Sequence, residues 1–494
     1  MLENPYVHSL RLENVGAILS PVGGAAVAVV NYAPVQLLLH AAAWQLFGPD
    51  PPGHHLLNVA LHALASVLLA ALLARTGLPL LAALFGGAFF LLHPANVEAV
   101  AWISQLKSSS ALVLALASLL AFERRPGLAT ALFGLALLAK PTAAFVLPVL
   151  ALRARARPGP LPWTWLGVGA ALLAAFALVE FAVHQRSGAA EARLHETPLV
   201  LARTVLALGL RYLVMAATSW GVSAFHEPEP VRSLLDPWWL ASLPVLGVLA
   251  WRSAGALRRR EPEGAFWVWA AVSFAPVSQI FPFLYPMADR YLYFILPGLI
   301  GAALLAGGQL LGGRVPPAAR TWAPRAALAL AAVVLVLFAA RSAERARLWR
   351  SPILLLADAA AHYPEGVGAA LLRAQRAAQA RDAGTAVAAL RAARARGYNR
   401  FQQLLADPAL APVQGNPDFQ ALVREMAGDW IESYARKGSL TQLELRTVAG
   451  AHVARGELRE AVRLLERALE VGGPTDAQTR EDIAALRPLL GRGP

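Results

Sequence analysis

The sequence predicts an all-α protein in two parts, a polytopic bundle of membrane helices followed by a water-soluble helical tail. Three observations predict it. Of 494 residues, 57% are hydrophobic and 15% charged, with a mean hydropathy of +0.49, far more apolar than a soluble chain of this length. Apolar runs recur at the length a membrane crossing needs, roughly 17 to 25 residues. Of the 75 charged residues, 39 lie between Arg341 and the end, so the chain divides into an oily domain, 1–340, and a helical domain, 341–494. A soluble cytosolic enzyme is excluded.

About ten spans are expected, near residues 55–75, 78–93, 108–122, 126–139, 141–152, 163–184, 235–251, 264–281, 291–312 and 324–340. Between them sit arginine clusters: Arg124 and Arg125; Arg153, Arg155 and Arg157; Arg252 and Arg258 to Arg260; Arg314, Arg320 and Arg325. Each follows an alternate crossing, so the positive-inside rule assigns all four to the cytoplasm. That retention accounts for the net charge of +13, and nucleic acid is discounted as a partner. The absence of cysteine excludes a disulfide framework and a thiolate-held zinc.

The opposite face then receives His93 to Ser110, the turn at Lys140 and Pro141, the stretch His184 to Leu234, the segment Phe281 to Tyr291, and the tail. This predicts a multi-pass membrane protein with its tail on the outer face. Leu199 to Met215 is apolar but interrupted by Arg203 and Arg211, which reads as a helix lying in the membrane interface. Val35 to Leu46 reads the same way. The first crossing runs inward by this count, which predicts one more crossing upstream of Met1.

The outward-facing residues form a set. Gly53-His54-His55-Leu56-Leu57-Asn58 with His62 opens one span, and His93-Pro94-Ala95-Asn96-Val97-Glu98-Ala99-Val100-Ala101-Trp102-Ile103 closes another. Ala139-Lys140-Pro141 marks a turn, and Met287-Ala288-Asp289-Arg290-Tyr291-Leu292-Tyr293 precedes a late span. In this order, ahead of repeat-like helices, the set resembles the transmembrane and tetratricopeptide-repeat-containing O-mannosyltransferase family and its bacterial relatives. The resemblance covers nearly the whole chain, and the His-Pro-x-x-x-Glu-Ala-Val-x-Trp-Ile stretch is its most specific part.

The resemblance implies a GT-C fold and transfer of a sugar from a polyprenyl-phosphate carrier on the lumenal or periplasmic face. Eukaryotic members are similar in passing mannose to Ser or Thr hydroxyls, so mannose is the implied sugar, and a protein or other hydroxyl compound the acceptor. The family has a first span followed by an acidic pair, a Tyr and an Asn-Pro, whereas this chain starts at Glu3-Asn4-Pro5-Tyr6-Val7. The acidic pair is therefore expected just upstream, or lost.

Such chemistry needs a carboxylate to take the acceptor proton and cations for the departing phosphate. Glu98 is the candidate carboxylate, with His93 and Asn96 as residues that orient it or ligate a metal; the plainer reading is a helix-start acid beside a belt tryptophan, Trp102. One His and one Glu leave metal use open. Lys140 and Lys107, two of only three lysines, are candidate phosphate ligands or snorkelling cations. Arg290 is expected to grip the carrier phosphate beside Tyr291, with Asp289 holding its guanidinium; the alternative is a local ion pair capping a helix. Arg211 with Tyr212 is a second choice. His54, His55 and His62, lacking an acidic partner, read as interfacial or packing residues, and Asn58 as a bond between helices.

In the tail, Leu445, Val448, Ala449, His452, Gly456, Ala461, Leu465, Ala468 and Pro474 fall close to the tetratricopeptide pattern, in which small residues let two antiparallel helices approach. A looser copy runs through Ala374, Gly384, Ala386, Leu390 and Ala393. Asp407-Pro408 and Asn416-Pro417 read as loop and helix-start signals. The tail is expected to be a short solenoid that takes a peptide or partner protein. The rival to an enzyme is a membrane-anchored repeat scaffold without chemistry. A transporter ranks third, because Glu180 alone lies mid-span.

Overall fold

The computed structural model describes residues 4–157, 160–187, 197–280, 285–311 and 322–490. Glu3, Phe281, Arg314 and Arg320, named above, lie outside them. Among the described residues the chain is helical, without a β-strand; an antiparallel bridge joins His226 to Met287. In chain order the helices are α1 Leu12–Leu19, α2 Gly24–Val29, α3 Pro34–Phe47, α4 Pro51–Ala74, α5 Leu80–Leu92, α6 Val97–Ala101, α7 Leu106–Ala121, α8 Pro126–Ala139 and α9 Val146–Arg155. Then come α10 Trp163–Ser187, α11 Pro198–Thr218, α12 Pro237–Arg258, α13 Pro262–Phe274, α14 Asp289–Leu311 and α15 Ala323–Leu348. The last third carries α16 Pro352–His362, α17 Val367–Gln379, α18 Ala383–Ala395, α19 Phe401–Ala406, α20 Pro417–Ala435, α21 Gln442–Arg455, α22 Leu458–Val471 and α23 Asp476–Leu490.

Seven helices among the described residues are long and apolar enough to cross a membrane, and eight if the pair α5 and Pro94–Ala101, bent by 49°, is one span. This corrects the expected ten. The run at 141–152 is shortened because Pro141–Phe145 winds as a 3-10 helix, and the run at 264–281 because Pro276 breaks α13 into another; proline lacks the amide that continues an α-helix. α8 has 14 residues and is too short by itself. In the other direction, α11 is by length and apolarity able to cross a membrane, where an interfacial helix was expected. Its two arginines are accommodated locally: Arg203 donates to the Leu199 carbonyl at 3.2 Å, and the Arg211 guanidinium lies 4.5 Å from the Trp238 ring centre.

The chain forms two compact units, one of residues 33–178 and 191–352, the other of residues 1–32, 179–190 and 353–494. The expected boundary after residue 340 falls inside α15, which continues to Leu348; Ser342 Oγ donates to the Leu92 carbonyl at 2.8 Å and Trp349 stacks on Trp102.

The first unit has two chemically distinct ends. At one, Arg153 and Arg157 both pair with Glu123, and Arg252 bonds Glu263 and Gln309. Gln309 in turn bonds Glu261, and Arg155, Arg260 and Glu261 line one cleft with Leu152 and Leu257. Two of the four predicted arginine clusters, 153–157 and 252–260, therefore meet at this end. Close packing in between rests on glycine: a Cβ on Gly298 would lie 2.7 Å from the Ala270 amide nitrogen and 2.9 Å from the Phe266 carbonyl, so α13 and α14 touch backbone to backbone.

In the second unit α17 packs on α18, α20 on α21, α21 on α22 and α22 on α23. Buried alanines at the contacts, among them Ala374, Ala386, Ala449, Ala461 and Ala468, let the helices approach. Asn416 caps α20 by accepting from the Asp418 and Phe419 amides, and Thr441 with Glu444 forms a reciprocal cap on α21. Near the start of the chain, Glu180 accepts the Tyr32 amide at 2.8 Å, which uses the mid-span carboxylate locally.

Candidate functional site

The other end of the first unit collects the polar residues of the motifs. Pro94 ends α5, and Pro94–Asn96 turns the chain through a 3-10 segment into α6, which carries Glu98 inward. Glu98 is 4% exposed; one oxygen accepts the backbone amide of Arg290 at 2.8 Å, and the other pairs with the Arg290 guanidinium. The carboxylate thus caps the first turn of α14 and neutralises its second side chain. Around that guanidinium stand Trp102, Tyr285 and Tyr291, with ring centres 5.3, 4.8 and 4.9 Å away. Cation–π attraction on three sides holds the charge in place.

Asp289 does not hold Arg290. Its Oδ1 accepts from His226 Nε2 at 2.7 Å and from the Ser223 amide at 3.3 Å, while Oδ2 lies 3.9 Å from Arg345. Asp289, His226 and Arg345 are all buried. This carboxylate therefore ties together α14, the segment 219–236 and the last turns of α15. His226 and Arg345 escaped the sequence reading: His226 belongs to no recognised motif, and Arg345 was counted with the soluble tail.

Lys140 follows α8 and turns back toward the start of α7, donating to Ser108 Oγ at 2.8 Å, while Ser108 donates to Gln105 Oε1 at 2.7 Å. Its ammonium stands 4.9 Å from the centre of the Phe294 ring. Lys140 is enclosed by protein yet keeps accessible surface, and no carboxylate pairs with it among the described residues. The charges acting on it are Lys107 and Arg290, both positive, and Glu98.

His93 and Asn96 do not touch Glu98. The His93 Nδ1 accepts the Ala95 amide at 3.2 Å, so its Nε2 carries the proton and donates to the Ala216 carbonyl at 3.1 Å. Asn96 donates to the Phe90 carbonyl at 2.6 Å, and its Oδ1 is buried without a partner. Both residues shape the bend, and His93 also braces α11. Arg211 lies on Trp238, which stacks on Trp220, while Tyr212 exchanges bonds with the Ala288 backbone in both directions.

His62 accepts from the Tyr293 hydroxyl and donates to the Leu91 carbonyl, both at 3.1 Å, as a packing histidine does. Asn58 donates to the Val100 carbonyl at 3.3 Å and accepts from Ser109 at 3.4 Å, joining α4, α6 and α7. On α3, burial and its neighbours His54 and Lys107 push the His40 imidazole down to about 3, so it is neutral. Among the described residues no group of three or more His, Asp or Glu side chains is placed to hold a metal ion.

By the length and apolarity of its helices the chain belongs to the class of polytopic helical proteins, with a buried, cation-rich polar centre at one end of the bundle. Comparison with protein-family models, curated proteins and solved structures finds no match to it.

Proposed function

We propose that the chain is an integral-membrane glycosyltransferase of the GT-C kind, moving a sugar from a polyprenyl-phosphate carrier to a hydroxyl acceptor on the outer, periplasmic face. The observation that carries the reading is Lys140, an enclosed ammonium with no carboxylate partner among the described residues, beside the Glu98–Arg290 pair and Lys107. Burying a charge without a counter-ion is costly, and an anionic ligand offsets the cost. A carrier phosphate, held at the headgroup plane by its isoprenoid tail, is such a ligand.

In the reaction the acceptor oxygen bonds the anomeric carbon, the carbon–oxygen bond to phosphate breaks with its electron pair going to the phosphate, and the acceptor proton goes to a carboxylate. Lys140 and Arg290 receive the developing phosphate charge. With Arg290 on it, Glu98 is a poor base; transfer of the guanidinium to the carrier phosphate frees a Glu98 oxygen to take the proton. The helices of the second unit are the proposed tetratricopeptide-like surface for a protein acceptor, supported by the buried alanines at their contacts.

The engagement of both Glu98 oxygens favours a second reading, a scaffold that keeps the fold without turnover. Purified full-length protein in nanodiscs, given radiolabelled polyprenyl-phosphate mannose or glucose and a peptide acceptor, decides. Release of polyprenyl phosphate that is lost in Lys140→Met and Arg290→Gln supports the enzyme. Carrier binding without release from either sugar supports the scaffold.

A further inference from the structure

The two helices that flank the turn 48–50 carry two buried histidines that the proposed chemistry does not use, His40 within α3 and His54 in the first turn of α4. His40 and His54 are each 3% exposed. His54 Nε2 meets the Gly48 carbonyl at 3.0 Å. A carbonyl only accepts, so the proton is on Nε2 and Nδ1 is left as a bare lone pair. The Phe47 ring, edge-on at 5.6 Å, fixes the imidazole plane. That Nδ1 is buried with no hydrogen-bond partner, and so is His40 Nδ1. The two rings are electrostatic neighbours. An orphaned buried polar atom costs about 1–3 kcal/mol, and there is one on each of the two helices that flank this turn.

Both rings adjoin the cation-rich centre. α4 buries His54, Asn58 and His62 on one face, and Asn58 bonds the Val100 and Trp102 carbonyls. The Trp102 ring lies against Arg290, and Lys107 acts on both His40 and Lys140. The ligand chemistry follows from what these unmet ring nitrogens can bond: with the His54 proton on Nε2 its Nδ1 accepts, whereas the His40 Nδ1, with no bond among the described residues to fix the tautomer, takes either role. Carboxylate and phosphate oxygens cannot donate to the His54 Nδ1. A divalent cation lacks a third protein ligand among the described residues and meets the positive Lys107. A hydroxyl donates or accepts and carries no charge.

We propose that His40 and His54 form a sugar-binding subsite of this centre, each hydrogen-bonded to a hydroxyl of the sugar attached to the carrier phosphate. The proposal rests on the transferase reading, and its test separates the two. Full-length protein in nanodiscs is titrated with sugar-free polyprenyl phosphate and with polyprenyl-phosphate mannose and glucose, for the native chain, His40→Phe, His54→Phe and the Asn variants at both positions.

The native chain is expected to bind a sugar-loaded carrier more tightly than the sugar-free one. Each Phe variant is expected to lower that preference about tenfold, a change of about 1.4 kcal/mol, while sugar-free binding stays within about twofold. Asn, which keeps an acceptor, restores part of the preference. Native protein that binds all three carriers alike, or Phe variants that keep the native preference, overturn the subsite and leave the phosphate site standing. A stoichiometric metal ion that is lost in His54→Phe also overturns it. Failure to bind any carrier overturns the transferase reading itself. Tryptophan-fluorescence melting identifies a variant that fails to fold, and the Asn variant at the same position then supplies the decisive comparison.

Discussion

The Glu98–Arg290 pair gives the sharpest energetic prediction, because Glu98 is buried and Arg290 is largely enclosed. Their side chains are 4% and 11% exposed. Glu98→Gln removes the counter-ion from an enclosed guanidinium, and breaking a buried pair from one side costs about 3–5 kcal/mol. Arg290→Gln leaves Glu98 with the backbone amide of residue 290 still bonded to it, so its loss falls at the lower end of that range. It also forfeits the three ring contacts, at about 0.5–1 kcal/mol each when exposed and more when desolvated.

The double variant buries neither charge. Its total loss is therefore expected to fall short of the sum of the single losses by about 2–3 kcal/mol, the size reported by pairs in direct contact. Equilibrium unfolding in micelles, followed by tryptophan fluorescence for all four proteins, measures the cycle. Additivity within about 0.5 kcal/mol would refute the claim that these two side chains act as one unit.

Three further outcomes follow from the same geometry. Lys140→Met is expected to raise thermal stability, since it removes an enclosed ammonium that pairs with no carboxylate among the described residues, and to weaken polyprenyl-phosphate binding about 10- to 100-fold, as loss of a charged bond worth about 1.5–3 kcal/mol does; equal binding by the native chain and the variant contradicts the phosphate role. Gly298→Ala is expected to destabilise the bundle by about 1–3 kcal/mol, because the new methyl meets backbone of α13 at 2.7 Å, and an unchanged melting temperature refutes that close approach. Thr441→Ala removes a reciprocal cap worth about 1 kcal/mol; hydrogen exchange in the intact chain is expected to show the Glu444 amide opening about fivefold faster, with equal rates counting against the cap.

What the sequence made legible was mostly a matter of charge and hydropathy. The arginine clusters at 153–157 and 252–260 do converge at one end, and the motif residues Glu98, Lys140 and Arg290 at the other. The partnership between Asp289 and Arg290 was misread because neighbours in sequence suggest an ion pair, whereas consecutive residues on a helix point about 100° apart and do not face each other. Arg290 found Glu98, 192 residues away, and Asp289 found His226, 63 away. No local pattern announces such pairs. Span counting went astray where proline breaks an apolar run, at Pro141 and Pro276, since hydropathy records composition rather than backbone geometry. Arg345 was misplaced for a related reason. A charge count locates the onset of polar sequence, while α15 continues past it to bring that guanidinium against Asp289. The orphaned nitrogens of His40 and His54 were invisible because an unmet hydrogen bond is a property of the folded surroundings alone.

Sidedness bears most directly on the central claim, that the cation-rich centre opens to the outer face where lipid-linked sugars are presented. The native chain has no cysteine, so every introduced thiol is the sole target of a membrane-impermeant maleimide. Trp220→Cys and Phe225→Cys lie on the segment joined to Asp289, and Arg124→Cys and Arg259→Cys on exposed turns at the arginine end. The account predicts labelling of the first pair in intact spheroplasts, and of the second pair only after the membrane is permeabilised. Labelling of Trp220→Cys and Arg259→Cys from the same side, or of the arginine end alone in intact spheroplasts, contradicts it.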